Sequence, residues 1–195
     1  MKNRGAMMFL IGLFSALAVG WLGFPALLYR NIEQPLQFSH NVHTGENVGM
    51  ACADCHTSSE DGHFTGIPAV AKCAECHSAV LGETENEKQL VEEYITPNRE
   101  IPWLVYARQP ENVHFSHAPH VQLAELTCER CHGPHGGSES LRPLQRNRIS
   151  GYSRDIWGPS MTRLGNAPWQ GMKMDDCSRC HHERNVQESC LDCHK

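Results

Sequence analysis

The motif Cys-x-x-Cys-His occurs five times in this chain, as Cys52-Ala-Asp-Cys55-His56, Cys73-Ala-Glu-Cys76-His77, Cys128-Glu-Arg-Cys131-His132, Cys177-Ser-Arg-Cys180-His181 and Cys190-Leu-Asp-Cys193-His194. The five copies use all ten cysteines of the 195 residues. That arithmetic leaves three chemistries: c-type haem attachment, zinc sites and disulfides. Haem attachment is the one that needs every part of the motif. Two thiols add across the two vinyl groups of a haem, and the adjoining histidine reaches the iron. Zinc ribbons also use Cys-x-x-Cys pairs, in even numbers that close a tetrahedron, but they require no histidine after each pair. The spacing therefore assigns Cys52, Cys55, Cys73, Cys76, Cys128, Cys131, Cys177, Cys180, Cys190 and Cys193 as thioether anchors. His56, His77, His132, His181 and His194 become the proximal iron ligands of five haems c.

Five haems also account for a thin core. Hydrophobic residues are 40%, aromatics 7%, and the mean hydropathy is −0.45. An apolar haem disc replaces side-chain burial, and cofactor binding then supplies folding energy. The expected fold is mainly α with long loops, its short helices carrying the motifs around stacked haems. Motif spacing divides the part after residue 30 into a two-haem block (31–82), a bridge (83–113) and a three-haem block (114–195). Residues 83–95 predict a short helix with five glutamates and an apolar side of Leu90, Val91, Tyr94 and Ile95. Those glutamates form either a solvated face or a docking surface for a basic partner. Residues 133–176 are rich in glycine, proline and arginine, and a connection of that length is usually functional or wraps something. Trp157 and Trp169 within it would anchor a protein interface or cover a haem.

The first 30 residues are of another kind. From Gly5 to Tyr29 there are 25 residues without a charge, preceded by Lys2 and Arg4. About 20 apolar residues cross a bilayer core. The flanking charges place the N-terminus in the cytoplasm and the remainder in the periplasm, as a single-pass protein of the inner (cytoplasmic) membrane. A cleaved signal peptide is the rival reading, with Ala16-Leu17-Ala18 as a small-x-small site. The apolar run continues ten residues further, to Leu28, which favours a signal-anchor over residues 1–30. Residues 31–195 hold 14 basic and all 22 acidic residues, a net charge of −8. That balance excludes a nucleic-acid binder and steers basic partners inward.

Eight histidines lie outside the motifs: His40, His43, His63, His114, His117, His120, His135 and His182. Five of them suffice to give every haem a second histidine. The segments Phe38-Ser39-His40-x-x-His43 and Phe115-Ser116-His117-x-x-His120, and the pair His181-His182, resemble the class III cytochromes. The resemblance implies His40 as distal ligand to the haem of His56, His117 to that of His132, and His182 to that of His194. His63 would serve the haem of His77, and either His43 or His120 the haem of His181. Three histidines are then spare, and two of them could hold a sixth haem without thioether attachment.

The stretch Ile101-Pro102-Trp103, the segment Val113-His114-Phe115-Ser116-His117-Ala118-Pro119-His120-Val121 and Cys131-His132-Gly133-Pro134 resemble the multihaem subunit of the alternative complex III family, and within it the Qrc quinone reductases of sulfate reducers. That resemblance implies an electron-transfer subunit of a membrane quinone oxidoreductase, in contact with iron–sulfur or molybdopterin-like subunits and integral membrane subunits. Electrons would arrive from a basic periplasmic tetrahaem cytochrome and leave toward menaquinone. Two alternatives stay open: the quinol-oxidising direction, and a stand-alone anchored quinol dehydrogenase. Iron with two histidines has no open position, so no bond chemistry is expected on this chain itself.

Overall fold

The computed structural model describes residues 2–59, 66–106, 112–149, 172 and 174–194. The chain starts as a helix, α1 (Lys2–Ala18), which passes through a π-helical turn (Val19–Gly23) into α2 (Phe24–Leu28). Its segment Arg4–Gly23 has a mean hydropathy of 2.0 and is 0% buried against the rest of the protein. Length and composition suffice for a membrane span, and the apolar surface has no protein to cover it.

The chain leaves the helix directly into a strand. β1 (Tyr29–Ile32) pairs antiparallel with β2 (Leu144–Asn147), Tyr29 opposite Asn147 and Ile32 opposite Leu144. Arg148 N–H donates to the Leu28 carbonyl at 2.8 Å and carries the ladder to the helix end. The apolar helix is thus tied to the body of the protein with no linker between them. Leu144 and Asn147 are buried.

Beyond that ladder the described chain is short helices joined by loops. α3 (His40–Thr44) starts at Ser39, whose side chain accepts the Val42 N–H at 3.3 Å. Ser is a favoured residue at this position because its oxygen satisfies an orphan amide. The motif helices are one turn long. α4 (Cys52–Cys55) is held by Asp54, whose carboxylate accepts the Ala51 N–H at 2.7 Å. The fifth motif repeats the device: Asp192 accepts the Ser189 N–H at 2.6 Å before the helix Cys190–Cys193. An acidic residue just before the second cysteine therefore fixes the turn that sets the two thiols apart. α5 (Val70–Ala74) carries the second motif at its end, and α7 (Cys128–His132) holds the third. The fourth lies in the ten-residue α8 (Met174–Glu183), and the fifth forms α9 (Cys190–Cys193).

The helix expected over 83–95 is present. α6 (Glu85–Gln89) begins at Thr84 and continues as a π-helical turn, Leu90–Ile95. Its apolar side faces a small core of Leu36, Val70, Tyr94 and Ile101, with Leu90, Ile95 and Trp103 packed around it. Asn98, at φ 51°, ends the segment in the left-handed conformation that asparagine tolerates. Among the described residues no side chain is completely buried, and Val42, Ile67, Leu81, Leu123 and Leu191 stay exposed around the motifs. The described side chains alone do not fill the interior.

The three blocks read from motif spacing are interleaved. The Asn41 N–H donates to the Ser138 carbonyl at 3.1 Å, and Thr44 Oγ1 donates to Gly136 O at 2.7 Å. The Gln34 side-chain amide exchanges two hydrogen bonds with the Leu104 backbone, at 2.9 and 3.0 Å. Segments of all three blocks thus build one framework.

Candidate haem-binding site

The two Phe-Ser-His-x-x-His segments adopt the same local geometry. Phe38 stacks on His43 at 4.4 Å and meets His40 edge-on at 4.9 Å. Phe115 stacks on His120 at 4.8 Å and meets His117 edge-on at 4.9 Å. Nδ1 of His43 lies 2.8 Å from Ser39 O, and Nδ1 of His120 lies 2.8 Å from Ser116 O. One turn of backbone thus orients two imidazoles, and the phenylalanine wedges between them and fixes their divergence. With Nδ1 donating to a carbonyl, Nε2 is the nitrogen left to bind a metal.

Those imidazoles face motif histidines. His117 and His132 have ring centroids 6.3 Å apart and planes within 8°. His120 and His181 stand at 6.0 Å and 20°, and His43 and His77 at 6.2 Å and 57°. Two imidazoles on opposite sides of one metal, with bonds of about 2.0 Å, place their centroids about 6.2 Å apart. All three pairs therefore fit a single iron held between two rings. His40 feels the neighbouring His56: its pKa is lowered by burial first and by the proximity of His56 next. His132 and His117 are lowered too, chiefly by burial, and for His117 next by the proximity of His132.

The expected set is placed as follows. His40 lies beside His56 and His117 faces His132. Of the two alternatives for His181, the ring opposite is His120, while His43 faces His77. His63, expected to serve His77, lies outside the described residues, as do Trp157 and Trp169. His182 sits on the exposed outer side of α8 with Asp175, Ser178, Arg179 and Glu183. His194 is bridged to Val113, and the His114 N–H donates to Cys193 O at 2.7 Å. His135 lies against Tyr106, with Arg142 donating to the Tyr106 hydroxyl at 3.0 Å.

The thiols give the relative placement of the motifs. Burial pushes the thiols of Cys52, Cys55, Cys73, Cys131 and Cys177 up, and thiols of neighbouring motifs add to the rise. Cys55 neighbours Cys73 and Cys76, and Cys52 hydrogen-bonds Cys128. Cys131 neighbours Cys180 and Cys177, and Cys177 neighbours Cys193. The first motif thus lies near the second and the third, and the fourth near the third and the fifth. None of the ten cysteines forms a disulfide, and among the described residues no three His, Cys, Asp or Glu side chains converge as zinc ligands would.

Two side chains lie against motif histidines in a way the sequence reading did not anticipate. Nδ1 of His77 lies 2.9 Å from Glu87 Oε1, and Nδ1 of His181 lies 2.7 Å from Glu188 Oε2. In His40, His43, His56 and His120 this nitrogen meets a backbone carbonyl or a hydroxyl: His56 meets Gly66 O at 3.3 Å and His40 meets Ser138 Oγ at 3.0 Å. The signal for Glu87 was present as Thr84-x-x-Glu87, a capping sequence whose carboxylate is brought back toward the loop before the helix. Glu188 carries no comparable mark.

Paired imidazoles, adjoining thiols and an interior short of side chains define a multihaem c-type cytochrome. The chain belongs to the cytochrome c3 family, whose pattern matches residues 42–142 and so spans the first three motifs. It is 40% identical over 206 residues, covering 98% of this chain and 90% of the other, to the "Menaquinone reductase, multiheme cytochrome c subunit" of Nitratidesulfovibrio vulgaris (strain Hildenborough).

Proposed function

We propose that this chain is the membrane-anchored, periplasmic electron-transfer subunit of a menaquinone reductase complex. The observation that carries the reading is the set of facing imidazoles, His43 with His77, His117 with His132 and His120 with His181. The similarity to a menaquinone reductase cytochrome subunit along almost the whole chain supports the choice of complex. Bound haem supplies one-electron redox chemistry, and with two histidines on each iron no position is left for a substrate.

The chain's own part is to hold the redox groups in series. Ten cysteines attach five haems c, and His56, His77, His132, His181 and His194 are their proximal ligands. His40, His43, His117 and His120 complete the first, second, third and fourth sites, and His182 is the assignment left for the fifth. α3 holds the distal ligands of sites one and two, and the segment Ala118–Leu123, with His117 before it, holds those of sites three and four. Two short helical turns thus each couple a pair of haems. Neighbouring attachment sites, taken in the order second, first, third, fourth, fifth, make a single file with two ends. One end receives electrons from a basic tetrahaem cytochrome, drawn by the acidic periplasmic part. The other hands them to the iron–sulfur and quinone-reducing subunits. The helix Arg4–Gly23 anchors the file in the inner membrane, and the β1–β2 ladder holds it at a fixed orientation there.

Purification in mild detergent with identification of the co-purifying subunits tests this reading. A complex that reduces a menaquinone analogue with a reduced tetrahaem cytochrome is expected. Isolation as a lone monomer without such activity contradicts it.

A further inference from the structure

Resting on the reading of His77 and His181 as haem ligands, we propose that Glu87 and Glu188 are positioning residues that set the second and fourth haems at lower reduction potential than the first. Each carboxylate accepts the Nδ1–H of a proximal histidine. In the first site the corresponding partner is a neutral backbone carbonyl, that of Gly66.

The physical cause is the charge on the acceptor. A histidine that gives its second N–H to a carboxylate becomes a more basic ligand, because the anion favours withdrawal of that proton. More electron density at the ligating nitrogen stabilises ferric iron over ferrous, and second-shell hydrogen bonding is one of the levers a protein has on haem potential. One-electron reduction breaks no bond to either imidazole; the whole effect lies in how well the fixed negative charge tolerates the added electron.

Glu87 is built for this position. Besides His77 it accepts the Leu81 N–H at 2.9 Å on the same oxygen and the Gly82 N–H at 2.7 Å on the other. A Cβ on Gly82 would lie 2.8 Å from that carboxylate oxygen, so glycine is what lets the loop approach. The Glu87 side chain is 12% exposed, in contrast to Glu85 on the same helix at 86%. Three donors converge on this carboxylate, the Leu81 and Gly82 amides and His77. Glu188 is fixed by the Ser178 hydroxyl as well as by His181. The two carboxylates come from unrelated stretches of chain, one a helix start and the other the loop between α8 and α9. The contact with a proximal histidine is what they share.

The test is a potentiometric titration of the purified holoprotein, followed by optical and low-temperature EPR spectra, for Glu87→Gln, Glu188→Gln and the double variant. Glutamine keeps the size of each side chain and removes its charge. Each single variant is expected to raise one haem's potential by a tenfold change in its reduction equilibrium, about 59 mV for one electron, with a shift in the g values of one low-spin signal. The double variant should move two haems. Unchanged potentials and g values in Glu188→Gln, with five haems still attached, overturn the proposal even where Glu87→Gln fails to fold. His43→Met separates it from the ligation reading: a signal lost there while the glutamate variants stay silent removes the tuning role alone. No change in any of these variants removes the ligand assignment as well.

Discussion

His117 and His132 face each other with centroids 6.3 Å apart and planes 8° apart, although fourteen residues and the whole third attachment turn separate them. That separation is what one shared metal would impose on two imidazoles. Replacing His117 with Met should keep all five haems attached and raise one haem's potential, since Met/His pairs sit above bis-His pairs. The size is on the order of 0.1 V, a fraction of the roughly 0.8 V that axial ligands span. A redox titration identical to that of the unmodified protein would show that His117 is not a ligand.

The second site separates two histidines. His43→Met should raise the potential of one haem by a similar amount, because His43 is the ring facing His77. His63→Met should leave every potential in place. The reverse pattern in the same titration would restore His63 as the ligand of the second haem.

Electron entry should depend on the exposed glutamates of the bridge and not on Glu87. Glu85 is 86% exposed beside Lys88, and Glu93, 53% exposed, lies 3.9 Å from Arg99. Replacing Glu83, Glu85, Glu92 and Glu93 with Gln should slow reduction by a lysine-rich cytochrome several-fold at low salt and flatten its salt dependence. Stopped-flow rates with an unchanged salt slope would leave these residues a solvating role only. Glu87, turned inward to His77, no longer belongs in that set.

The anchor is tested by extraction. Alkaline carbonate should leave the protein in the membrane fraction, because Arg4–Gly23 exposes an apolar surface along its whole length. Protease added to spheroplasts should digest the part after residue 30. Release by carbonate would favour the cleaved-leader reading over Ala16-Leu17-Ala18.

Much of the site was legible in the residues. The proximal ligands and thioether anchors follow from adjacency in the chain, and adjacency survives any fold. The helix over 83–95 was legible too, since Leu90, Val91, Tyr94 and Ile95 repeat at helical spacing; Tyr94 lies in the small core, Leu90 and Ile95 pack against it, and Val91 is buried. Distal ligands are different, because they join segments far apart in sequence. Whether His43 or His120 met His181 depended on which motif lies nearest each helical turn. That was hidden because neighbours in space do not follow chain order: the first motif lies near the third as well as the second. The β1–β2 ladder was missed because Tyr29–Ile32 looks like the end of an apolar helix and Leu144–Asn147 carries two polar residues and a charge. The interleaving of the blocks rests on backbone contacts such as Asn41 with Ser138, which leave no trace in composition.

The measurement that bears most directly on the whole account is the intact mass of the purified, denatured chain, read together with thiol titration. The expected result is the polypeptide plus five covalently attached haems, with no reactive thiol, because five motifs consume all ten cysteines. Any further haem would be extractable with acidified solvent and absent from this mass. A mass corresponding to four haems or fewer in protein matured with a full haem supply, or free thiols at any motif, would contradict the account.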